Sequence, residues 1–314
     1  MPVPAQGEHL IHIDSVGICG SDMHAFLGHD TRRPAPLILG HEAAGVIEGG
    51  PRAGTRVTIN PLVTCGQCVA CTSGRDNLCP DRQIISMPPR EGAFAQYVAM
   101  PDRNLVVVPD NVPLEKAALA EPIACGWHTV RLVLSALDTP AASARALVLG
   151  GGAIGLGAAL CLKAQGVQDV LIIEPNDMRR DYLNTRCGVT AVAGLKDGQG
   201  DFDLVIDGVG FEATRSTASA AVRPGGVIGH IGLGSDKGGL DIRRMTLQEI
   251  TFIGTYTYTS QDFVQTAQAI FDGRLGPLDW AETRDLAQGA EAFADIRSGT
   301  AACPKIILKP NQGD

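Results

Sequence analysis

Aromatic residues are scarce, with eight Phe, four Tyr and two Trp in 314 residues. That leaves too few stacking platforms for a chain built to hold single-stranded nucleic acid. Basic charge is in deficit as well, 26 Lys and Arg against 34 Asp and Glu. A net charge of −8 argues against nucleic acid or an anionic membrane as the main partner. Long hydrophobic runs are missing too. The most apolar uncharged stretch, Ala146 to Leu162, is 17 residues long and carries five glycines. It is too short and too glycine-rich to span a bilayer, and a strand, a turn and a helix explain it better. The opening MPVPAQGEHL is polar and is not a secretory signal. Nine cysteines without such a signal point to reduced thiols and metal ligands rather than disulfides, and to a cytoplasmic enzyme. What the chain has in quantity is apolar residues, 45%, and 38 glycines. That is enough for a sizeable core in one large domain or two ordinary ones, with many tight turns.

Four of the cysteines fall together, Cys65, Cys68, Cys71 and Cys79. The pattern C-x2-C-x2-C-x7-C suits a closed all-thiolate structural zinc with no open position for chemistry. An iron–sulfur cluster is the rival, since Pro80 follows the last Cys. In that case the last Cys would be expected four residues on rather than eight. A second constellation lies upstream in VGICGSDMHAFLGHDTRRPAPLILGHEAAG, from Val16 to Gly45. Cys19 sits in a glycine-flanked turn, followed by Ser21, Asp22 and His24, and the stretch closes on Gly40-His41-Glu42. Thiolate, imidazole and carboxylate together offer the S, N and O donors of a tetrahedral zinc. Cys19 and His41 cannot share one helical turn, so two loops must fold together to build the site.

From Arg145 the pattern becomes that of an α/β domain. The apolar strand Ala146-Leu-Val-Leu149 runs into Gly150-Gly-Gly152-Ala153-Ile154-Gly155 and a helix reaching Gln165. This is G-x-G-x-x-G between a strand and a helix. Gly150 permits the tight turn, Gly152 lets the backbone approach a pyrophosphate, and Gly155 allows close helix–strand packing. The helix N-terminus then offers unpaired N–H groups to phosphate. Glu174 ends the next strand, 19 residues after Gly155. A carboxylate there accepts from the ribose hydroxyls and repels a 2′-phosphate, favouring NAD over NADP. Arg179 and Arg180 follow closely and keep NADP open. Further strands are expected at Val189–Ala193, Phe202–Ile206, Val227–Ile231 and Ile250–Gly254, with a helix from Glu212 to Val222. Only eight residues, Gly194 to Asp201, join the first two of these. In strand order 3-2-1-4 that link must span a diagonal of roughly 22 Å, and eight extended residues reach about 26 Å. It can close only as a stretched loop.

Together, GICGSDMH, GHE, the four-cysteine loop, AEP at Ala120-Glu121-Pro122 and the glycine fingerprint resemble the zinc-dependent medium-chain dehydrogenase/reductase superfamily. The segment NLCPDRQIISMPPREGAFAQYV with AEPIACGWH is closest to its polyol branch, the sorbitol and xylitol dehydrogenases. The resemblance covers nearly the whole chain in order. It implies an α/β fold, a Rossmann doubly wound parallel sheet domain plus a mainly β GroES-like catalytic domain. Residues 1–122 would form the catalytic domain with the structural-zinc lobe, 123–258 the dinucleotide domain, and 259–314 a return to the catalytic domain. It implies two zincs per chain, with Cys19 and His41 as catalytic ligands and Asp22 bracing His41. Glu42 and Glu121 compete for the remaining coordination, Glu121 directly or through water, with the plainer alternative that Glu121 terminates a helix that begins at Leu114. By the same resemblance Ser21 and His24 form a proton relay, and Val209 and Leu233 line the nicotinamide pocket.

The implied activity is hydride transfer from a secondary alcohol, a polyol, sugar alcohol or sugar acid, to NAD. The alternatives are a threonine- or aldonate-type zinc dehydrogenase, or a non-catalytic NAD-binding structural protein. A homo-oligomer, dimer or tetramer, is the expected assembly. The chain departs from the polyol pattern in three places. It begins near the family's second strand, Ala25 stands after the relay His where the branch has an aromatic, and Thr257 precedes Tyr258 where it has an Arg.

Overall fold

The fold follows from a computed structural model that describes residues 1–196 and 198–310. The chain divides into two compact units, one of residues 1–122, 259–274 and 281–314, the other of 123–258 and 275–280. The short piece 275–280 therefore groups with the second unit, although the whole tail from 259 was expected in the first. Residues 311–314 at the end of that tail lie outside the described residues.

The first unit is built on a seven-stranded sheet. Its order is Ala281–Asp285, Lys305–Lys309, Glu8–Gly17, Glu42–Glu48, Arg56–Ile59 and Leu105–Val107, with Tyr97–Pro101 also paired to Glu8–Gly17. Ile11, Ile13 and Val16 alternate inward from the central strand and are fully buried. Each such side chain contributes about 1.5–3 kcal/mol of transfer free energy. The register shifts between Ile13 and Ser15, a bulge of the kind that re-aims side chains near sites. Beyond it Gly17 pairs with Glu42 on one side and with Ile307 on the other. Three chain segments distant in sequence thus meet where Cys19, His41 and Lys305 stand. A two-stranded ribbon, Leu62–Val63 with Gln83–Ile84, flanks the four-cysteine lobe.

Two expectations are corrected in this unit. The sequence Gly92-Ala-Phe94-Ala-Gln-Tyr97-Val98 reads as a strand, but the strand begins only at Tyr97. The residues before it give their backbone bonds to another segment, Gly92 N–H to Ile38 O at 2.8 Å, Ala93 N–H to Gly40 O at 2.8 Å and Phe94 N–H to Leu39 O at 2.9 Å. The helical pattern from Leu114 splits into Leu114–Ala117 and Ala120–Ala136. Glu121 opens the second helix instead of ending the first. Pro122 lies in that helix's first turn, where its missing N–H would be unpaired anyway, and the carboxylate of Glu121 suits the positive end of the helix dipole.

The second unit holds a six-stranded parallel sheet in the order Thr190–Val192, Asp169–Ile173, Arg145–Leu149, Phe202–Asp207, Val222–His230 and Thr251–Gly254. Counted along the unit this is 3-2-1-4-5-6, the doubly wound dinucleotide-binding order. Leu147, Leu149, Phe202, Val205 and Ile228 form its core with Ala218 and Ala221 of the helix Glu212–Ala221. Strands three and four are joined by residues 193–201 with no helix among the described ones, and Asp197 lies outside the description. Leu195 from this link packs against the core, so the shortened connection still contributes a side chain to it.

Candidate metal and cofactor sites

Cys19 ends the central strand's run and caps the seven-residue helix Gly20–Phe26. Asp22, in the first turn, is the hub of the site and has no exposed surface. Its Oδ2 accepts from Cys19 N–H at 3.0 Å, and its Oδ1 from Gly40 N–H at 3.2 Å. The same Oδ1 lies 3.4 Å from His41 Nδ1 and 3.6 Å from Arg33 Nη1. Burial pushes the Asp22 carboxyl up, but His41, the Cys19 N–H and Arg33 outweigh it and hold the group below its usual value. One carboxylate therefore fixes both loops and braces the imidazole through Nδ1. That leaves Nε2 as the nitrogen for a metal. Ser86 Oγ also sits 3.4 Å from His41 Nδ1. A Cβ on Gly40 would stand 2.6 Å from the Phe94 ring, so the ring pins the His41 loop only because glycine is there.

Cys19, His41 and Glu42 bring one ligand atom each to within 4.8 Å of one another. Glu42 Oε2 is buried and has no hydrogen-bond partner. A buried carboxylate oxygen without a donor costs free energy, and a cation bound among these three donors would satisfy it. The S, N and O set fits zinc. Glu121 is buried but stands outside this three-residue cluster. Ser21 is half-buried and accepts from Arg33 Nη1 at 3.2 Å, and His24 is exposed on the same helix.

One residue that the sequence did not single out belongs here. Lys305 is buried, and its Nζ lies 2.6 Å from Glu42 Oε1 and donates to Ile18 O at 2.8 Å. Burial alone would lower the Lys305 pKa. Glu42, Cys19 and Glu121 together raise it above the ordinary value. A lysine at the head of the apolar run Ile306-Ile307-Leu308 was the available signal, since a charge there needs a buried partner.

The four-cysteine lobe brings Cys65, Cys68, Cys71 and Cys79 within 4.8 Å of one another. Cys65 and Cys71 Sγ are 3.9 Å apart, and Cys68 and Cys71 Sγ 3.5 Å. Zinc–sulfur bonds of about 2.3 Å in a tetrahedron put sulfurs about 3.8 Å apart, so the lobe fits a four-thiolate zinc. Backbone N–H groups of Gln67 and Cys68 lower the Cys65 thiol to about 7. Burial and the neighbouring Cys68 raise Cys71 to about 11.

In the second unit, Gly152 caps the helix Ala153–Ala164 with no side chain bonded to its first turn. Gly150 has φ +93°, and a Cβ on it would meet Val209 Cγ2 at 2.4 Å. A Cβ on Gly155 would lie 1.8 Å from Gly150 O, whereas one on Gly152 meets nothing within 4 Å. Glu174 reaches under this loop, its Oε2 accepting from Gly151 N–H at 2.9 Å and its Oε1 from Asn176 N–H at 2.8 Å. Arg179 N–H donates to the capping Asn176 Oδ1 at 3.0 Å, and Arg180 Nη1 donates to Glu174 O at 3.0 Å. Val209 packs on the glycine loop, and Leu233 projects into solvent, 82% exposed.

The loop bearing Leu233 is held by a residue absent from the sequence reading. Arg215 Nε donates to Gly238 O at 2.6 Å, Nη1 to Gly210 O at 2.8 Å and Ser235 O at 2.9 Å, and Nη2 to Ser235 Oγ at 2.9 Å and Lys237 O. Asp207 accepts from Val209 and Gly210 N–H at 3.0 and 2.8 Å. A buried Arg and a strand-end Asp give no spacing signal, because their partners are loop carbonyls and amides.

Residues 5–110 match the family model of the alcohol dehydrogenase GroES-like domain, and residues 153–272 that of zinc-binding dehydrogenases. The chain belongs to the zinc-dependent medium-chain dehydrogenases, in their polyol dehydrogenase-like branch. It is 32% identical to the L-galactonate-5-dehydrogenase of Escherichia coli K12 over 88% of this chain and 83% of that one. It is also 32% identical to the sorbitol dehydrogenase of Bacillus subtilis, over 99% of this chain and 93% of that protein. Among solved structures it superposes on an Escherichia coli alcohol dehydrogenase complexed with NADH. There the TM-score is 0.87 at 25% identity, covering 98% of this chain and 94% of the other. The expected fold, a doubly wound parallel sheet with a GroES-like unit, stands. So does the reading of an NAD(P)-dependent alcohol dehydrogenase. No helix among the described residues is long and apolar enough to cross a membrane.

Proposed function

We propose that this dehydrogenase oxidises a secondary hydroxyl of a polyol or sugar acid with NAD as hydride acceptor. In this reading two zinc ions are bound per chain. The observation that carries the proposal is the Cys19–His41–Glu42 cluster with its unpartnered buried oxygen. The ion held there supplies Lewis acidity that lowers the hydroxyl's pKa, and the nicotinamide supplies the acceptor for hydride.

The chain's own residues do the rest. Asp22 fixes the tautomer of His41, so that its ring offers a nitrogen lone pair on the side away from the brace. Ser21 Oγ accepts the substrate proton. Arg33 already donates to one lone pair of that oxygen, leaving one for the substrate O–H while the hydroxyl's own hydrogen is passed onward. His24, exposed on the same short helix, takes the proton to solvent. Glu121 serves as a further oxygen ligand, directly or through water.

NAD is preferred because Glu174 would meet a 2′-phosphate with like charge. Arg180 is committed to backbone carbonyls and Asp177, which removes one cation that could favour the phosphate. The alignment with a sorbitol dehydrogenase and with a galactonate dehydrogenase supports both substrate classes, polyol and sugar acid. A homo-oligomer suits the strand Thr251–Gly254, which is the last in its sheet order and, among the described residues, pairs on one side only, leaving an edge for pairing.

The test is initial-rate oxidation of a panel of polyols, aldonates and simple alcohols with NAD and with NADP. Turnover of a polyol or aldonate with NAD supports the reading. Turnover confined to monoalcohols, or none with any member, overturns it.

A further inference from the structure

We propose that Lys305 is a positioning residue for the metal site, holding Glu42 by Oε1 so that Oε2 alone is offered to the metal. This rests on the zinc dehydrogenase reading above and goes beyond it. Three observations converge on it. The first is geometric. Lys305 Nζ lies 2.6 Å from Glu42 Oε1 and 2.8 Å from Ile18 O, so the ammonium is tied to the backbone just before Cys19. Strand pairing of Gly17 with Glu42 and with Ile307 leaves neither partner room to drift.

The second is the asymmetry of the carboxylate. Oε1 is bonded to Lys305, whereas Oε2 is buried with no partner and belongs to the residue that clusters with Cys19 and His41. An ammonium on Oε1 competes for that oxygen's lone pairs and leaves Oε2 as the better ligand for a metal. The third is space. A Cβ on Gly17 would stand 2.0 Å from Glu42 Oε2 and 3.3 Å from its Cβ. Glycine at 17 is what lets the carboxylate lie in this position at all.

Charge points the same way. Lys305 is the cation set against the thiol and carboxylate of this cluster, its Nζ 2.6 Å from Glu42 Oε1. Removing it leaves Glu42 free to close on the metal with both oxygens and leaves excess negative charge around the ion. Both changes hold the metal more tightly and leave less room for a substrate oxygen.

The experiment uses the full-length zinc enzyme, and the same protein with cobalt(II) at the catalytic site. Zinc release to a chromophoric chelator and the visible cobalt spectrum are compared for wild type, Lys305→Met, Lys305→Arg and Glu42→Gln. In Lys305→Met, release from the catalytic site should slow about tenfold or more, and the cobalt absorption should weaken as its coordination number rises. Lys305→Arg should return both towards wild type, which a purely structural role for the side chain would not predict. Glu42→Gln keeps Lys305 and presents an amide, and should release zinc about tenfold faster. Lys305→Gln, which removes the charge and keeps a polar side chain in the pocket, carries the test if Lys305→Met does not fold. Wild-type release and spectrum in Lys305→Met overturn the proposal alone, whereas wild-type release in Glu42→Gln removes Glu42 from the metal and overturns the three-residue cluster as well. A wild-type chain that holds metal only at its four clustered thiols overturns the parent reading and this inference with it.

Discussion

Two glycines three residues apart make opposite demands on the dinucleotide loop, and substituting each separates fold from binding. In Gly155→Ala the new Cβ would stand 1.8 Å from Gly150 O and 2.9 Å from Gly150 C. Ordinary contact is about 3.4 Å or more, so the strand-to-helix turn must open by roughly 1.5 Å. Nothing flexible can absorb this, because the obstructing atom is a backbone carbonyl. The same turn is held by Gly150 N–H to Ile173 O at 2.8 Å. Overpacking of this kind costs about 1–3 kcal/mol, and a rigid obstacle puts it at the upper end. Alanine's better helix propensity returns about 1 kcal/mol. A net loss of about 2 kcal/mol follows, equivalent to about 4–8 °C in melting temperature for a domain of 150–250 residues. In Gly152→Ala the Cβ meets nothing within 4 Å, and φ is −72°. The stability of the free protein should hardly change. The added methyl instead fills the space through which a pyrophosphate approaches the helix N-terminus, and NADH affinity should fall about tenfold or more, about 1.4 kcal/mol. Thermal melts without cofactor and NADH fluorescence titration measure the two effects. Wild-type NADH affinity in Gly152→Ala, or a Gly155→Ala protein as stable as wild type, would refute the reasoning.

Cys65→Ser should lose one zinc and several degrees of melting temperature while keeping the catalytic metal, because a structural zinc contributes folding free energy directly. Metal analysis beside a melt checks it, and two zincs with an unchanged melt would count against the lobe. Glu174→Ala should narrow the NAD preference by about tenfold, about 1.4 kcal/mol, read as the ratio of kcat/KM for NAD and NADP. An unchanged ratio removes Glu174 from cofactor choice. Asp203 tests acid stability. Burial raises its carboxyl, but Arg145 N–H, Arg223 and Thr139 more than compensate and hold its folded pKa below the ordinary carboxylate value. A lowered folded pKa stabilises the protein above the unfolded value and ceases to do so as pH falls through the folded one. Asp203→Asn should therefore cost about 1–3 kcal/mol near pH 7. The gap should close between about pH 4 and more acid solution in urea melts, and a gap independent of pH would contradict the assignment.

The parts of this molecule that could be read in advance are those where a residue type is forced by a local demand. Gly150 needs φ +93° and Gly155 cannot carry a Cβ, so the fingerprint is visible at fixed spacing. The four cysteines Cys65, Cys68, Cys71 and Cys79 lie within one short loop and are equally visible at fixed spacing. The link between the third and fourth strands of the dinucleotide unit was bounded by chain length alone. What stayed hidden depends on partners distant in sequence. Lys305 meets Glu42 across 263 positions, through a register that only the assembled sheet defines. Arg215 spends its donors on the carbonyls of a loop 20 to 23 residues away, and no side-chain pattern announces that. Gly92–Phe94 reads as the start of the strand that follows it, yet its backbone bonds to Ile38, Leu39 and Gly40 ahead of His41. Glu121 is the intermediate case. Its type and its Pro122 neighbour were legible, but whether its carboxylate reaches the metal depends on the first turn of a helix whose start the sequence misplaced.

The central claim is that a metal held by Cys19, His41 and Glu42 activates a polyol or sugar-acid hydroxyl for oxidation by NAD. Selective removal and return of that metal tests it most directly. The enzyme is treated with a chelator under conditions that retain the four-thiolate zinc, its NAD-linked turnover of the best polyol or aldonate is measured, and one equivalent of zinc is then added back. The account predicts that turnover falls with loss of one zinc per chain, that NADH binding is retained, and that the returned equivalent restores the rate. Full turnover in protein stripped of that zinc would contradict it.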